Sequence, residues 1–298
     1  MVAKLCTICL YLNTMELQDI VISYQPKLFA LAYRMTGEVA VSEDIVQESL
    51  TNWVILPHED VQNPLAYLAK TVINRSLNHL AAVKRQREVY KGTWLPEPVV
   101  SQDYRRIDAQ IDVSYGFMLL LEKLTPTERA VFLLKESFDV EYAELAELLE
   151  LTEPNSRQLY HRAKEKLAGA KKRFPINSEQ QQALQQAFLM ASQTGDINPF
   201  VRLLKEDIVV YSDGGGKAKA ALNPVVGIHH VTAFLNGLAR KSWIIRDWQF
   251  VEVNGGVGAL LFDKETGALD SILIIDLDGD QISNVYIIRN PDKLPTSY

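Results

Sequence analysis

Cysteine is almost missing from this chain of 298 residues, Cys6 and Cys9 being the only two. A lone C-x-x-C with no second pair and no neighbouring histidine supplies half of a tetrahedral zinc set, so neither a metal nor a cofactor is expected. Long apolar runs are missing as well. No stretch approaches the roughly 20 consecutive apolar residues that a membrane-spanning helix needs. Met1 to Thr14 has one lysine, a short apolar core and no small-residue cleavage signal, which argues against a secretory leader and for a cytoplasmic protein. An amphipathic pattern begins directly after Met15, which makes that methionine an alternative start. Net positive charge is also lacking, since the chain carries −6 overall. Any affinity for nucleic acid must therefore come from local cation clusters.

Two such clusters are present. From Glu153 to Arg173 seven Lys/Arg stand against two Glu, an excess of five in an acidic chain. That run follows a short amphipathic segment, Glu141 to Leu149, in which Tyr142, Leu145, Ala146, Leu148 and Leu149 recur at helical spacing while Glu141, Glu144 and Glu147 point elsewhere. Glu150-Leu151-Thr152 reads as a turn whose Thr152 caps the next helix, and Pro154 is tolerated in a first turn because its N–H would lack a partner there anyway. The second helix is expected to bury Leu159, Ala163 and Leu167. It would present Asn155, Arg157, Gln158, His161, Arg162 and Lys164, amides and cations suited to base edges and phosphates. A helix-turn-helix that binds duplex DNA is the consequence.

The other cluster closes an N-terminal helical block. Leu28, Leu31, Ala32 and Met35, then Ile45, Val46, Leu50 and Trp53, mark two helices joined near Thr36-Gly37. Glu43, Asp44, Gln47 and Glu48 lie one turn apart on an outward face. A third helix from Pro64 to about Arg87 ends basic, with Lys70, Arg75, Lys84, Arg85, Arg87 and Lys91 against Glu88, and Asn74 and Asn78 interleaved. This is a second candidate nucleic-acid surface, with Lys84, Arg85 and Arg87 suited to phosphates and Trp53 and Tyr67 the main aromatics for base stacking.

Leu28 to Val54 resembles region 2 of extracytoplasmic-function sigma factors, and Leu124 to Leu167 resembles their region 4. The resemblance implies that Asp44 and Gln47 contact the clamp helices of the RNA polymerase β′ subunit, that region 4 meets the β flap, that Asn74, Arg75 and Asn78 read the −10 strand, and that Arg157, Gln158 and Arg162 read the −35 duplex. Pro154 departs from what a recognition helix normally carries and leaves the register of base contacts open.

Val89 to Asp112 has little periodicity and holds Gly92, Pro96 and Pro98, so it reads as a connector, although the tryptophan of its WLPEP (Trp94 to Pro98) needs a surface to pack on. After Phe174-Pro175-Ile176-Asn177 the pattern changes to Gln-rich helix up to Thr194 and then to strands: Asp207 to Ser212, Trp243 to Val253, Val257 to Phe262, Ser271 to Leu277 and Gln281 to Arg289. Turns are expected at Asn254-Gly255-Gly256 and Asp278-Gly279. Helices followed by a curved antiparallel sheet make an α+β domain. From Ala183 onward the sequence resembles the SnoaL-like, ketosteroid-isomerase-type cone. Together WLPEP, Ser212-Asp213-Gly214-Gly215-Gly216-Lys217 and Asn290-Pro291-Asp292-Lys293-Leu294 resemble the sigma factors that carry such a cone as a fused extension. That likeness implies regulation in cis with no separate anti-sigma factor, and a pocket able to take a small-molecule ligand.

The expected organisation is multidomain: an extension (1–14), an all-α region 2 bundle (15–91), a linker (92–112), an all-α region 4 helix-turn-helix (113–173) and the α+β cone (178–298). Trp94, Pro96, Asp213, Gly214, Gly215, Gly216, Lys217, Asn290, Pro291, Asp292 and Lys293 are expected to meet in space as a regulatory contact. The alternative is a helix-turn-helix fused to a small-molecule-binding or an isomerase-like or cyclase-like enzyme domain, and for the enzyme Asp213, His229, His230 and Asp247 are the nominees as base. His229 and His230 read as solvated loop residues, so the chain is not expected to be an enzyme, and a ligand-responsive helix-turn-helix repressor would leave the first helical block unexplained.

Overall fold

A computed structural model of the chain describes residues 22–55, 61–100, 111–168, 184, 186, 187, 190, 194, 196–239 and 245–295. Cys6, Cys9, Met15, Lys171 to Arg173, the Phe174 to Asn177 boundary and the first residues of the expected Trp243 strand lie outside them. The helices are α1 (22–36), α2 (Val39–Ile55), α3 (Pro64–Glu88), α4 (Tyr115–Leu121), α5 (Pro126–Phe138), α6 (Tyr142–Leu148), α7 (Glu153–Leu167), α8 (Asn198–Val201) and α9 (Ile228–Leu238). The strands are β1 (Leu204–Asp213), β2 (Val225–Val226), β3 (Arg246–Val253), β4 (Gly256–Asp263), β5 (Leu269–Asp278) and β6 (Gln281–Ile288). Among the described residues no helix is long and apolar enough to cross a membrane.

The chain divides into two compact units, the first drawn from Met1–Val83, Arg105–Asp112 and Leu121–Ala168, the second from Lys84–Tyr104, Val113–Leu120 and Gly169–Tyr298. In the first unit, Gly37 breaks α1 from α2 at φ 72°, a conformation that suits a residue without Cβ. All eight apolar residues of the expected stripe, from Leu28 to Trp53, are buried. Trp53 is only 2 % exposed and packs 5.4 Å from Tyr67, so it belongs to the core and is withdrawn as a stacking surface for a base. Tyr67 remains 41 % exposed.

Two buried arginines join the N-terminal helices to α5 within that unit. Arg129 on α5 donates to Met35 O at the carboxyl end of α1, 2.6 Å away, and to Glu122 Oε1 at 2.6 Å. A cation there neutralises carbonyls that the helix leaves unpaired. Arg34 donates from α1 to Ser137 Oγ on α5 at 2.8 Å. Burial lowers the Arg34 pKa to about 10, against the pull of Asp112 and Glu136, and the side chain stays charged at neutral pH.

The second unit is built on one sheet in the order β2-β1-β6-β5-β4-β3. The β3–β4 turn falls where expected but is tighter, two residues, because Gly256 already pairs with Val253; Asn254 at φ 50° and Gly255 at φ 68° are both positive as the twist of a tight hairpin demands. Two features depart from the expected antiparallel sheet. β1 pairs in parallel with β6, and β2 adds a two-residue edge. Parallel neighbours are chosen by long-range packing, which leaves no mark in local periodicity.

Both faces of the sheet are covered. Ile208, Val210, Ala259, Leu261, Leu273, Ile275, Val285 and Ile287 pack under α9 with Leu184, Ala187 and Phe200. The opposite face, with Leu260, Ile272, Ile274, Tyr286 and Ile288, is covered by Leu95, Val100 and Tyr115. The expected linker is therefore part of a core: Leu95 is fully buried, Val100 bridges to Val253, and the Asn254 side chain holds Val99 N at 2.9 Å and Val113 O at 2.8 Å. The segment's low periodicity reflects extended chain laid on a sheet.

Candidate nucleic-acid interface and C-terminal polar network

The helix-turn-helix forms as its residues require. Leu145, Ala146 and Leu148 of α6 are buried while Glu141, Glu144 and Glu147 stay exposed. Glu150 turns the chain at φ 54°, and the Thr152 hydroxyl accepts Asn155 N at 3.4 Å to cap α7, with Pro154 in the first turn. Buried on α7 are Ser156, Ala163 and Leu167; Leu159, expected in the core, is half-buried, because the small Ser156 takes the close approach. Arg157, Gln158, His161 and Arg162 are exposed and Asn155 half-exposed, one polar face.

Two side chains of that helix are already engaged. Arg157 pairs with Glu153 at 2.6 Å and lies 4.4 Å above the Tyr142 ring. Lys166 donates to both carboxylate oxygens of buried Glu128, at 2.9 and 2.6 Å, which ties α7 to α5 and removes one cation from the expected excess. Glu128 also completes a capping box with Thr125 at the start of α5. Burial pushes the Glu128 pKa up, but Lys166 and Thr125 outweigh burial and hold it below the usual carboxylate value.

On the first helices the structure gathers residues that the sequence had assigned to separate tasks. Asp44 and Gln47 are exposed on α2, and with Glu48, Thr51 and Asn52 they line a surface hollow whose remaining wall is Arg75 of α3. Arg75 is salt-bridged to Glu48. Asn78 is exposed and Asn74 half-buried on the same helix. Lys84 and Arg85 are exposed near its end, but Arg87 is not a free phosphate contact: its guanidinium stacks 3.9 Å over the Trp94 ring.

Within the second unit the three sequence strings meet around one carboxylate. Asp213, 1 % exposed, accepts from the Tyr90 hydroxyl at 2.6 Å, Leu95 N at 3.0 Å, Gly215 N at 2.9 Å and Lys293 Nζ at 2.7 Å. Lys293, itself buried, also donates to Leu95 O at 2.5 Å and lies 4.0 Å from the Trp94 ring on which Arg87 stacks. Burial lowers the Lys293 pKa, and Asp213 pulls it back up. Asn290 donates to Tyr90 Oη at 2.9 Å and caps the Pro291–Lys293 turn through Asp292 N. Gly215 cannot be replaced cheaply, since at φ 58° a Cβ would lie 2.5 Å from the Asn290 amide. Gly214 would drive a Cβ to 2.1 Å from Ala218 O, while Gly216 faces Lys91. An exposed pair, Lys217 with Asp292 at 2.6 Å, closes the loop, and Pro96 O accepts the buried Tyr115 hydroxyl at 2.6 Å.

Tyr90 and Tyr115 are the members the sequence did not announce, because an isolated tyrosine beside a connector has no pattern to flag it. The nominees for a base do not form a catalytic group. Asp213 is fully engaged, His229 and His230 are exposed, and Asp247 is exposed beside Lys264.

A helix-turn-helix whose second helix presents an exposed face of amides and cations marks a DNA-binding protein. Residues 20–86 match the family model for Sigma-70 region 2, and residues 116–167 match that for Sigma-70 region 4. The chain is 32 % identical to the ECF RNA polymerase sigma factor SigJ of Mycobacterium tuberculosis, over 91 % of this chain and 90 % of that one. It is 25 % identical to the probable ECF sigma factor SigI of the same organism, over 91 % and 92 %. The crystal structure of M. tuberculosis SigJ superposes with a TM-score of 0.75 at 30 % identity, covering 92 % of this chain and 97 % of that one. The chain belongs to the extracytoplasmic-function sigma factors. It is an alternative sigma factor that works with RNA polymerase and directs promoter recognition.

Proposed function

We propose that this sigma factor is regulated in cis by its C-terminal unit, and that the contact around Asp213 is the device. What supports the reading is one buried carboxylate that binds three segments far apart in sequence: Tyr90 and Leu95, the glycine loop, and Lys293. The first of these segments continues directly from α3, the helix that bears Asn74, Arg75 and Asn78. Holding or releasing residues 90–95 therefore acts on the end of the −10 reading helix through the chain itself, a two-state element that both the network and promoter engagement can bias.

On this reading Asp44 and Gln47 meet the polymerase clamp helices, region 4 meets the β flap, and Asn74, Arg75 and Asn78 read the −10 strand. Lys84 and Arg85 hold phosphates, Asn155, Arg157, Gln158, His161 and Arg162 approach the −35 duplex, and Arg87 serves the Trp94 contact. A regulator built into the chain makes a separate anti-sigma factor unnecessary, and the protein acts in the cytoplasm, where its polymerase is.

Transcription in vitro with purified core polymerase tests the proposal. Truncation before Asn290 and Trp94→Ala are both expected to change transcript output in the same direction, by at least about threefold, while duplex binding at the −35 element stays unchanged. Unchanged output from both variants sinks regulation in cis. Recovery of a stoichiometric inhibitory protein with the full-length chain would return that role to a separate factor.

A further inference from the structure

Arg157 sits in the second turn of α7, in the amino-terminal part of the helix that a helix-turn-helix lays against base edges. An exposed arginine ordinarily samples many rotamers, and the freedom it gives up on binding costs affinity. Here the side chain is held from two sides before any DNA arrives. Glu153, one helical turn earlier, accepts Arg157 Nη2 at 2.6 Å, and the guanidinium carbon lies over the Tyr142 ring, 4.4 Å from its centre. The two holds differ in kind. Glu153 occupies the hydrogen-bonding edge that a base needs, and with its side chain 45 % exposed it gives way to a competing acceptor. The ring attracts the cation through its π face and takes up no acceptor position, so this contact persists when the edge turns to a base.

The ring is itself fixed in place. Tyr142, whose spacing puts it in the buried stripe of α6, is half-buried at the first residue of that helix, with one side left for Arg157. It meets the Tyr160 ring of α7 edge to face, the centroids 6.0 Å apart at 70°. Tyr160 in turn stacks at 6.3 Å on Phe132, a buried residue of α5, and its hydroxyl donates to Glu136 of the same helix. Lys135 Nζ, also from α5, stands 5.3 Å from the Tyr142 ring centre and pairs at 3.5 Å with Glu141, the residue before Tyr142. A tyrosine tied to both neighbouring helices is a rigid platform, and an arginine resting on it has less rotamer freedom left to lose.

We propose that Tyr142 is a positioning residue for −35 recognition, its ring holding the Arg157 guanidinium in the orientation that meets one base pair. This assignment rests on Arg157 being a base contact; Tyr142 itself touches no DNA and acts through that side chain.

The test is competition among promoter duplexes substituted one base pair at a time through the −35 element, with the full-length chain bound to core polymerase. Tyr142→Leu is expected to lower discrimination by about two- to fivefold, the size of an exposed cation–π contact, at the same base pair where Arg157→Ala relaxes preference and at no other. Tyr142→Phe keeps the ring and should match wild type. In an Arg157→Ala background Tyr142→Leu should add no further loss, because the interaction it removes is already gone. Unaltered discrimination in Tyr142→Leu beside a normal Arg157→Ala effect would overturn the proposal alone. Weakening spread over all positions and additive with Arg157→Ala would make the tyrosine a structural residue only, and tighter binding by Tyr142→Leu would mean that the ring sequesters Arg157. Unchanged preference at every position in Arg157→Ala would remove the base contact itself, and the assignment with it. Should Tyr142→Leu fail to fold, Tyr142→Met, of similar reach and without a π face, carries the same expectations.

Discussion

Arg157 is committed twice in the free protein, to Glu153 at 2.6 Å and to the Tyr142 face at 4.4 Å. Both partners are exposed or half-exposed, so the commitments are weak and a base edge can take the place of Glu153. Arg157→Ala is expected to weaken −35 duplex binding by about 1–3 kcal/mol and to relax preference at one base pair, as loss of a bidentate contact does. Competition among point-substituted duplexes checks it, and uniform weakening across all of them would make the contact one to phosphate. Asp213 is the opposite case, a buried carboxylate whose removal strands a buried lysine. Asp213→Asn keeps the shape but leaves Lys293 uncompensated, and should destabilise the second unit by about 3–5 kcal/mol in denaturant unfolding. A loss below about 1 kcal/mol would mean that solvent reaches the site and that the network is not a lock.

Among the elements, α7 owes its position to a side chain outside the reading face. Lys166 anchors it to Glu128, which in turn caps α5. The depressed Glu128 pKa has a definite sign in stability: the ionised form is bound better in the folded state, so the contribution is full above the ordinary carboxylate pKa and is lost as pH falls through the lower folded value. Glu128→Gln should therefore cost about 1–2 kcal/mol at neutral pH, discounted for the exposure of Lys166, and the difference from wild type should shrink in acid. Thermal unfolding at neutral and acid pH measures this, and a gap that widened in acid would reverse the assignment. The same pairing means that counting cations along α7 overstates its reach toward DNA, because one of them faces inward.

At the scale of the molecule, an acidic chain must bind promoter DNA through a few local cations, and binding should fall steeply with salt. Replacing Lys84 and Arg85 together by alanine should reduce the slope of log K against log salt by about 2 without changing sequence preference, since each phosphate contact contributes roughly 0.9. An unchanged slope removes the end of α3 from the DNA surface. Arg87→Ala, in contrast, should leave that slope unaltered and act with Trp94→Ala on transcript output.

Much of this protein was legible in its residues for a physical reason. Helical periodicity from Leu28 to Trp53, the Thr152 cap, the Asn254-Gly255 turn and the outward Asp44 and Gln47 are local properties, set by spacing and by the backbone conformations each residue allows. The three strings around Trp94, Asp213 and Asn290 could be named as belonging together, but not how they join. Only the tertiary structure decided that the connector is core, that Asp213 is the shared acceptor, that Tyr90 and Tyr115 complete the contact, and that Arg87 and Lys166 face protein. Parallel pairing of β1 with β6 likewise arises from what lies opposite in space. Burial and partnership between segments distant in sequence are properties of the packed chain, and a one-dimensional pattern holds no trace of them.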